Sequence, residues 1–404
     1  MSNENTNIIN TTKSSENDVG SKKKDMPRYY GNMDEKLSLE DALEQYESLI
    51  FKDTISPRKS IKEYKNELNI NSISEVSDII FKSSLDVNNG ELVVVGLLAL
   101  SPNNVSHLPP TEKDGIIGLS ILSNALSNLG LTVIILTDSI NQPVISDVLN
   151  KESYFRNYVN INQEIGFPPK DFLIEKGKIY VVGVVPQPGI DSEWEEFLDD
   201  LCTKFKILIS LGRPSRDTDT GIYKNSRGLR MNHYCSDLES IFINAIKENS
   251  IPTIALSDSC DNQLGIYSKN DKRKQHNARY VLLSHKNDWV CYFLTASIAL
   301  RLSDRFKNSI LNDKGGDSEG KVDTVNHTVT DINKKILLEL YLSIFPNEEV
   351  FIYLNEKVKE LQVWDTLFGE GLIKGFTLEN DWEVRMKIRR VANQFGVSVD
   401  FNSV

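Results

Sequence analysis

Five short runs of the chain are apolar at nearly every position, and that uniformity limits the folds open to it. They are "ELVVVGLLAL" (91–100), "LTVIIL" (131–136), "IYVVGVV" (179–185), "KILISL" (206–211) and "PTIAL" (252–256). A strand with one wet face alternates apolar and polar residues. A strand that is apolar throughout is buried on both faces, as in a parallel sheet between helical layers. Amphipathic segments separate the runs. Leu119, Leu122, Leu126 and Leu129 line one face of a helix that Gly130 ends. "SEWEEFLDDLC" (192–202), "SDLESIFINAIKE" (236–248) and the largely apolar "DWVCYFLTASIALRL" (288–302) are further helices. The alternation predicts an α/β fold: a mostly parallel sheet covered by helices on both faces, in three layers.

Flanking segments differ in character. Residues 1–36 are rich in Asn, Ser, Thr and Lys, a composition expected of a disordered tail. A capping-box pattern at Ser38 to Asp41 then opens a helical extension (37–90) of a single α/β domain spanning 37–404. From about Ser303 to Thr330 the chain turns polar and Gly-containing, which predicts a flexible insertion. Helical patterns resume with "DINKKILLELYLSIF" and close with "DWEVRMKIRRVANQF".

The formal net charge of −11 argues against a nucleic-acid partner, which needs a basic surface. No apolar run approaches the roughly 20 residues of a membrane span. Cys202, Cys235, Cys260 and Cys291 are widely spaced with no C-x-x-C pair, as expected of free thiols in a reducing compartment. The first residues show no apolar h-region, and they carry Glu4, Glu16 and Asp18 without an Arg. The expected location is therefore the cytoplasm, ahead of the mitochondrion.

Three long polar loops follow predicted strands: 101–115, 212–228 and 257–277. Strand-to-helix connections are usually short, and binding residues collect on loops held by a rigid scaffold. The first loop ends in Asp114-Gly115, residues that start helices and also sit where open sheets bind ligands. The second holds Arg213, Arg216, Arg227 and Arg230, whose planar forks suit carboxylates. Asp114 and Asp258 bring carboxylates to the same edge, suited to a divalent cation (Mn²⁺ or Mg²⁺) or to proton transfer. His233 and Cys235 form an isolated H-x-C pair, too few ligands for a structural zinc site. Dinucleotide, P-loop and α/β-hydrolase fingerprints are missing from the sequence.

Together these loops resemble the D-glutamate cyclase-like family. Glu112-Lys113-Asp114-Gly115 with Gly118 stands for that family's E-T-D-G-P-x-G-A, and Thr137-Asp138 for its Thr/Val-Asp strand end. Arg213, Arg216, Asp219, Gly221, Tyr223, Asn225 and Arg227 match its E-R-x-G-R-x-x-D-G-x-Y-Y-N-x-R, with one residue inserted around Thr220. His233 takes the place of a following His, and Asp258, Asn262, Leu264 and Gly265 match G-D-G-G-N-E-L-G. Asn287 and Trp289 correspond to a later Asn-Trp pair. There are departures. Gly212 and Gln263 replace two glutamates, Ser259 and Cys260 replace two glycines, and Asp261 is added.

The resemblance implies conversion of D-glutamate, a small acidic substrate, to 5-oxo-D-proline and water. It implies Asp114, Asp219 or Asp258 as base, or Asp114 and Asp258 as cation ligands. Arg213, Arg216, Tyr223, Asn225, Arg227, His233, Asn262 and Gly265 would bind substrate. Two lost carboxylates leave two alternatives: a small-acid-binding protein that no longer catalyses, or a metal-dependent hydrolase of another small acid.

Overall fold

The computed structural model describes residues 36–50, 68, 70–103, 106–161, 163–164, 166–170, 172–186, 191–225, 227–249, 251–258, 263–267, 271–313, 323–365 and 376–399. The expected tail at 1–36 lies almost wholly outside them.

All six described strands run parallel: β1 (Val94–Ala99), β2 (Thr132–Asp138), β3 (Ile179–Val184), β4 (Phe205–Leu211), β5 (Thr253–Ser257) and β6 (Tyr280–Leu283). Their spatial order is β3-β2-β1-β4-β5-β6. The chain thus winds outward from β1 to one edge, returns, and winds to the other. That is the order of doubly wound sheets, whose ligands lie where the winding reverses, here outside the carboxyl ends of β1 and β4.

Alternate residues of the apolar runs serve the two faces. Val95, Leu97 and Ala99 of β1 join one core, and Val94 and Leu98 join the other. Period-two alternation is thus present but hidden, because both faces are dry. The first face is covered by α1 (Leu39–Ile50), α2 (Ile73–Asn88), α3 (Ile116–Asn128), α4 (Gln142–Leu149), α7 (Asn287–Asp313), α8 (Asp323–Ile344), α9 (Glu348–Glu360) and α10 (Leu378–Phe395). The second is covered by α5 (Ser192–Lys204) and α6 (Leu238–Glu248), through Trp194, Leu198, Leu201, Leu238 and Phe242. No described helix is long and apolar enough to cross a membrane.

Helical structure enters the expected flexible insertion from both ends. Helix α7 continues to Asp313 and α8 begins at Asp323, with 314–322 outside the described residues. Leu302, Phe306 and Ile310 recur every four residues, each partly buried, and Ser303 is fully buried with its hydroxyl donating to the Ala299 carbonyl at 2.9 Å. The polar residues between them form the solvated side of a helix rather than a loop.

Arg301 of α7 pins α2. Its Nη2 donates to the Ser74 carbonyl at 2.7 Å and its Nε to Ser77 Oγ at 2.9 Å, with Asp78 at 3.3 Å. Arg301→Ala should cost about 1.5–3 kcal/mol, the range for hydrogen bonds to a charged group. Urea unfolding should show a lower midpoint at unchanged slope, which marks a change in stability alone.

Candidate functional site

At the reversal point β1, β2 and β4 are tied together by one buried ion pair. Asp138 is the last residue of β2, and Arg213 follows β4 by two positions; both are at most 1% exposed. Arg213 grips the Asp138 carboxylate with both terminal nitrogens, the Nη2–Oδ1 bond measuring 2.8 Å. Its remaining terminal N–H groups donate to the carbonyls of Leu100 (2.8 Å) and Ser236 (2.9 Å). Asp138 Oδ1 also accepts from the Ser236 amide at 2.6 Å and its hydroxyl at 2.8 Å. Arg213 was expected to clamp substrate. Its four terminal N–H groups are instead spent joining three strand ends and the approach to α6, so it acts by positioning.

A second arrangement joins α3 and α7, whose N-termini meet at this edge. The first amides of a helix lack intrahelical acceptors, and a carboxylate normally caps its own helix. Here the caps are exchanged. Asp114, just before α3, accepts from the amides of Asn287 (3.0 Å) and Asp288 (3.4 Å) in α7, and from Asn287 Nδ2 at 3.0 Å. Asp288, in the first turn of α7, returns the contact. Its Oδ1 accepts from the amides of Gly115, just before α3, at 3.1 Å and Gly118, in its first turn, at 2.7 Å. Asp114 is thus a capping residue, but of the distant helix. Its oxygens face hydrogen-bond donors, a setting that does not fit a cation ligand. Among the described residues, no three His, Cys, Asp or Glu side chains are grouped to hold a metal ion.

Behind Asp288 runs a buried chain of charge. Lys286 Nζ lies 3.9 Å from Asp288 Oδ2 and donates to Asp381 Oδ1 of α10 at 2.9 Å. Asp381 also accepts from Trp289 Nε1 at 2.7 Å and pairs with Arg385. Arg385 and Arg389 both grip Glu348, at the start of α9. Burial opposes the charge on Lys286, but Asp381, Asp288 and Asp114 outweigh it and hold its pKa above the ordinary lysine value. For Asp288 burial wins over Lys286 and pushes its carboxyl up to about 6.

The other expected residues divide. Arg216 stays close to the strand end: it pairs with Asp237 at 2.9 Å, lies over the Tyr223 ring at 5.2 Å, and its amide donates to the buried Glu239 at 2.9 Å. Tyr223 is buried, and burial pushes its phenol well above the usual range. Asn225 shapes its own turn, accepting from the amides of Arg227 (3.0 Å) and Leu229 (2.9 Å), and reaches the Asn103 carbonyl at 2.8 Å. Asp219 does not enter the crevice: it is 79% exposed, beside Lys272 at 3.6 Å, a solvated pair rather than a poised base. Arg227 and His233 are likewise exposed. Gly265 is required by packing, since a Cβ there would sit 2.6 Å from the Phe242 ring at a φ of +80°. Asp258 directly follows β5, and Asn262, with Ser259 to Asp261, lies outside the described residues.

Lys286, Asp288 and Asp381 belong to no motif that marks them in the sequence; Asp288 stands between the matched Asn287 and Trp289. The spacing of Asp381, Arg385 and Arg389, four apart, is a usable signal for one helical stripe, but it does not say that the stripe is buried.

Two outcomes follow. Asp138→Ala leaves the Arg213 charge buried without its partner and should cost about 3–5 kcal/mol in chemical unfolding. For Asp288 the folded pKa lies above the unfolded value, so between about pH 4 and pH 6 the folded state holds the extra proton. Stability of the parent relative to Asp288→Asn should therefore fall as pH rises through that window, by on the order of 3 kcal/mol, and stay level above it. A difference independent of pH would show that Asp288 ionises normally.

No curated protein matches the chain at a significant level. A family model does, that of the D-glutamate cyclase-like C-terminal region, across residues 61–387. That span takes in the carboxylate exchange, the Arg213–Asp138 pair and most of the charged chain behind them, and the protein belongs to the D-glutamate cyclase-like family.

Proposed function

We propose that the protein closes D-glutamate to 5-oxo-D-proline in the crevice between the carboxyl ends of β1 and β4. One observation carries the reading. The three motif stretches of the family resemblance, around Asp114, Arg213 and Asn287, are far apart in sequence yet meet at the reversal point. Asn287 donates to Asp114 at 3.0 Å, and its side chain lies where a Cβ on Gly212 would fall, 2.9 Å from Nδ2.

In the reaction the α-amine attacks the γ-carboxyl carbon. A C–N bond forms, one C–O bond breaks, and the departing oxygen leaves as water with protons given up by the nitrogen. Holding nitrogen and carbon in a near-attack geometry supplies part of the barrier reduction, on the order of 7–11 kcal/mol in the best intramolecular cases. Arg216 supplies a guanidinium for a carboxylate, and Asp258, at the end of β5, serves as the base.

A second reading, a small-acid binder on the same scaffold, draws on Gly212. Its φ is +55°, and the Asn287 side chain occupies the space into which a glutamate at this position would extend. The carboxylate that the family pattern places there has no room in this arrangement.

Incubation of purified protein with D- and L-glutamate, with and without Mn²⁺ or Mg²⁺, separates the readings by chromatographic detection of 5-oxoproline. The cyclase reading expects product from D-glutamate and a loss of about 10²-fold or more in Asp258→Ala, as for a removed general acid–base group. It also expects Gln263→Glu to raise the rate or leave it nearly unchanged. No product in any arm, with thermal stabilisation by D-glutamate, would instead establish the binder.

A further inference from the structure

Lys286 and Asp288 form a buried charged pair whose hydrogen-bonding capacity is not filled. Both are buried, at 1% and 0% exposure. Asp288 Oδ1 is saturated by the Gly115 and Gly118 amides, but Oδ2 accepts no hydrogen bond. Lys286 has three N–H groups and uses one, on Asp381. The two charges face each other at 3.9 Å, beyond hydrogen-bond reach. Leaving a buried charged group short of partners is costly, so a purely structural pair would be expected to close that gap.

We propose that Lys286 and Asp288 receive the head group of an amino-acid zwitterion, Asp288 Oδ2 taking the α-ammonium and Lys286 Nζ the α-carboxylate. This rests on the small-acid reading of the crevice and names the part of the substrate bound there. The surroundings favour a head group that carries charges of both signs. Asp114, Asp288, Asp381 and Glu348 are set against Lys286, Arg385 and Arg389, with Cys291 and Tyr292 of α7 also close to Asp288 or Asp381. Within this set Asp288 Oδ2 and two of the Lys286 N–H groups are left without hydrogen-bond partners, and a zwitterion offers each a group of opposite charge, whereas a lone carboxylate or ammonium would meet only one of them. Arg213 is not a competing receptor, because its terminal N–H groups are committed to Asp138 and two carbonyls. Both groups are buried, so binding requires displacement of the residues that cover them.

The test compares D-glutamate with glutarate, the same dicarboxylate without the amine, by calorimetric titration of the full-length protein. The parent should bind D-glutamate about tenfold or more tightly, as for a charge-assisted contact. Asp288→Asn, which retains an oxygen for the Gly115 and Gly118 amides, should lose that preference and bind glutarate within about twofold of the parent. The parent's own preference is readable even where the variant does not fold. Equal affinities in the parent, a preference kept in the variant, or binding of neither acid would each overturn the proposal. A preference for D-glutamate that needs Asp288, without 5-oxoproline formation, keeps the pair and sinks the cyclase reading. Product formation with the preference intact in Asp288→Asn does the reverse.

Discussion

The exchange of carboxylates between α3 and α7 is the constraint on which much of the molecule depends. Two helix N-termini brought together at one point place two positive dipole ends and several unpaired amides side by side. Asp114 and Asp288 resolve this by each capping the other's helix. The solution buries two carboxylates within one contact, and that creates a second need. Lys286 supplies the first countercharge, Asp381 orients Lys286, and Arg385, Glu348 and Arg389 carry the alternation on to the start of α9. The C-terminal helices are therefore more than a cover for the sheet, because they complete the electrostatics of the crevice.

The Arg213–Asp138 pair works on the opposite side of the reversal point and shows how position and recognition part company. An arginine just after a parallel strand is well placed to meet a ligand. Yet a guanidinium has a fixed number of N–H groups, and here the strand-end carbonyl of Leu100, the Ser236 carbonyl and Asp138 take the terminal ones. Rigidity at the floor of the crevice is the result, and under the proposed reading the binding of an anion falls to Arg216 and Lys286.

The sheet was legible in the sequence because burial on both faces leaves uniformly apolar runs, and β1 to β5 lie within or across the five runs read as strands. β6, "YVLL", was not read, being short and preceded by the polar stretch that ends at Arg279. Helix α7 reads short in the sequence because its polar side increases after Arg301 while its apolar positions thin to every fourth residue. The site was legible only in part. Residue type marked Asp114 and Arg213 as unusual, but whether each faces ligand or protein depends on partners more than seventy residues away in sequence: Asp138 for one, Asn287 and Asp288 for the other. Asp381 and Arg385 read as an ordinary surface pair at helical spacing. Only the packing of α10 against α1 and α7 makes them interior groups.

Gly212 shows how a lost carboxylate and a retained scaffold fit together. Its backbone is left-handed and its amide donates to the Leu256 carbonyl at 3.0 Å, so the chain turns sharply between β4 and Arg213. A glutamate there would meet both backbone strain and the Asn287 side chain, which is itself fixed by Asp114. Restoring the family's glutamate at this position would thus displace Asn287 and loosen the cap that Asp114 places on α7. The absence of that glutamate and the carboxylate exchange belong to one arrangement. Any charge the crevice needs must then come from groups that leave Asn287 in place, and Lys286, Asp288 and Asp258 meet that condition.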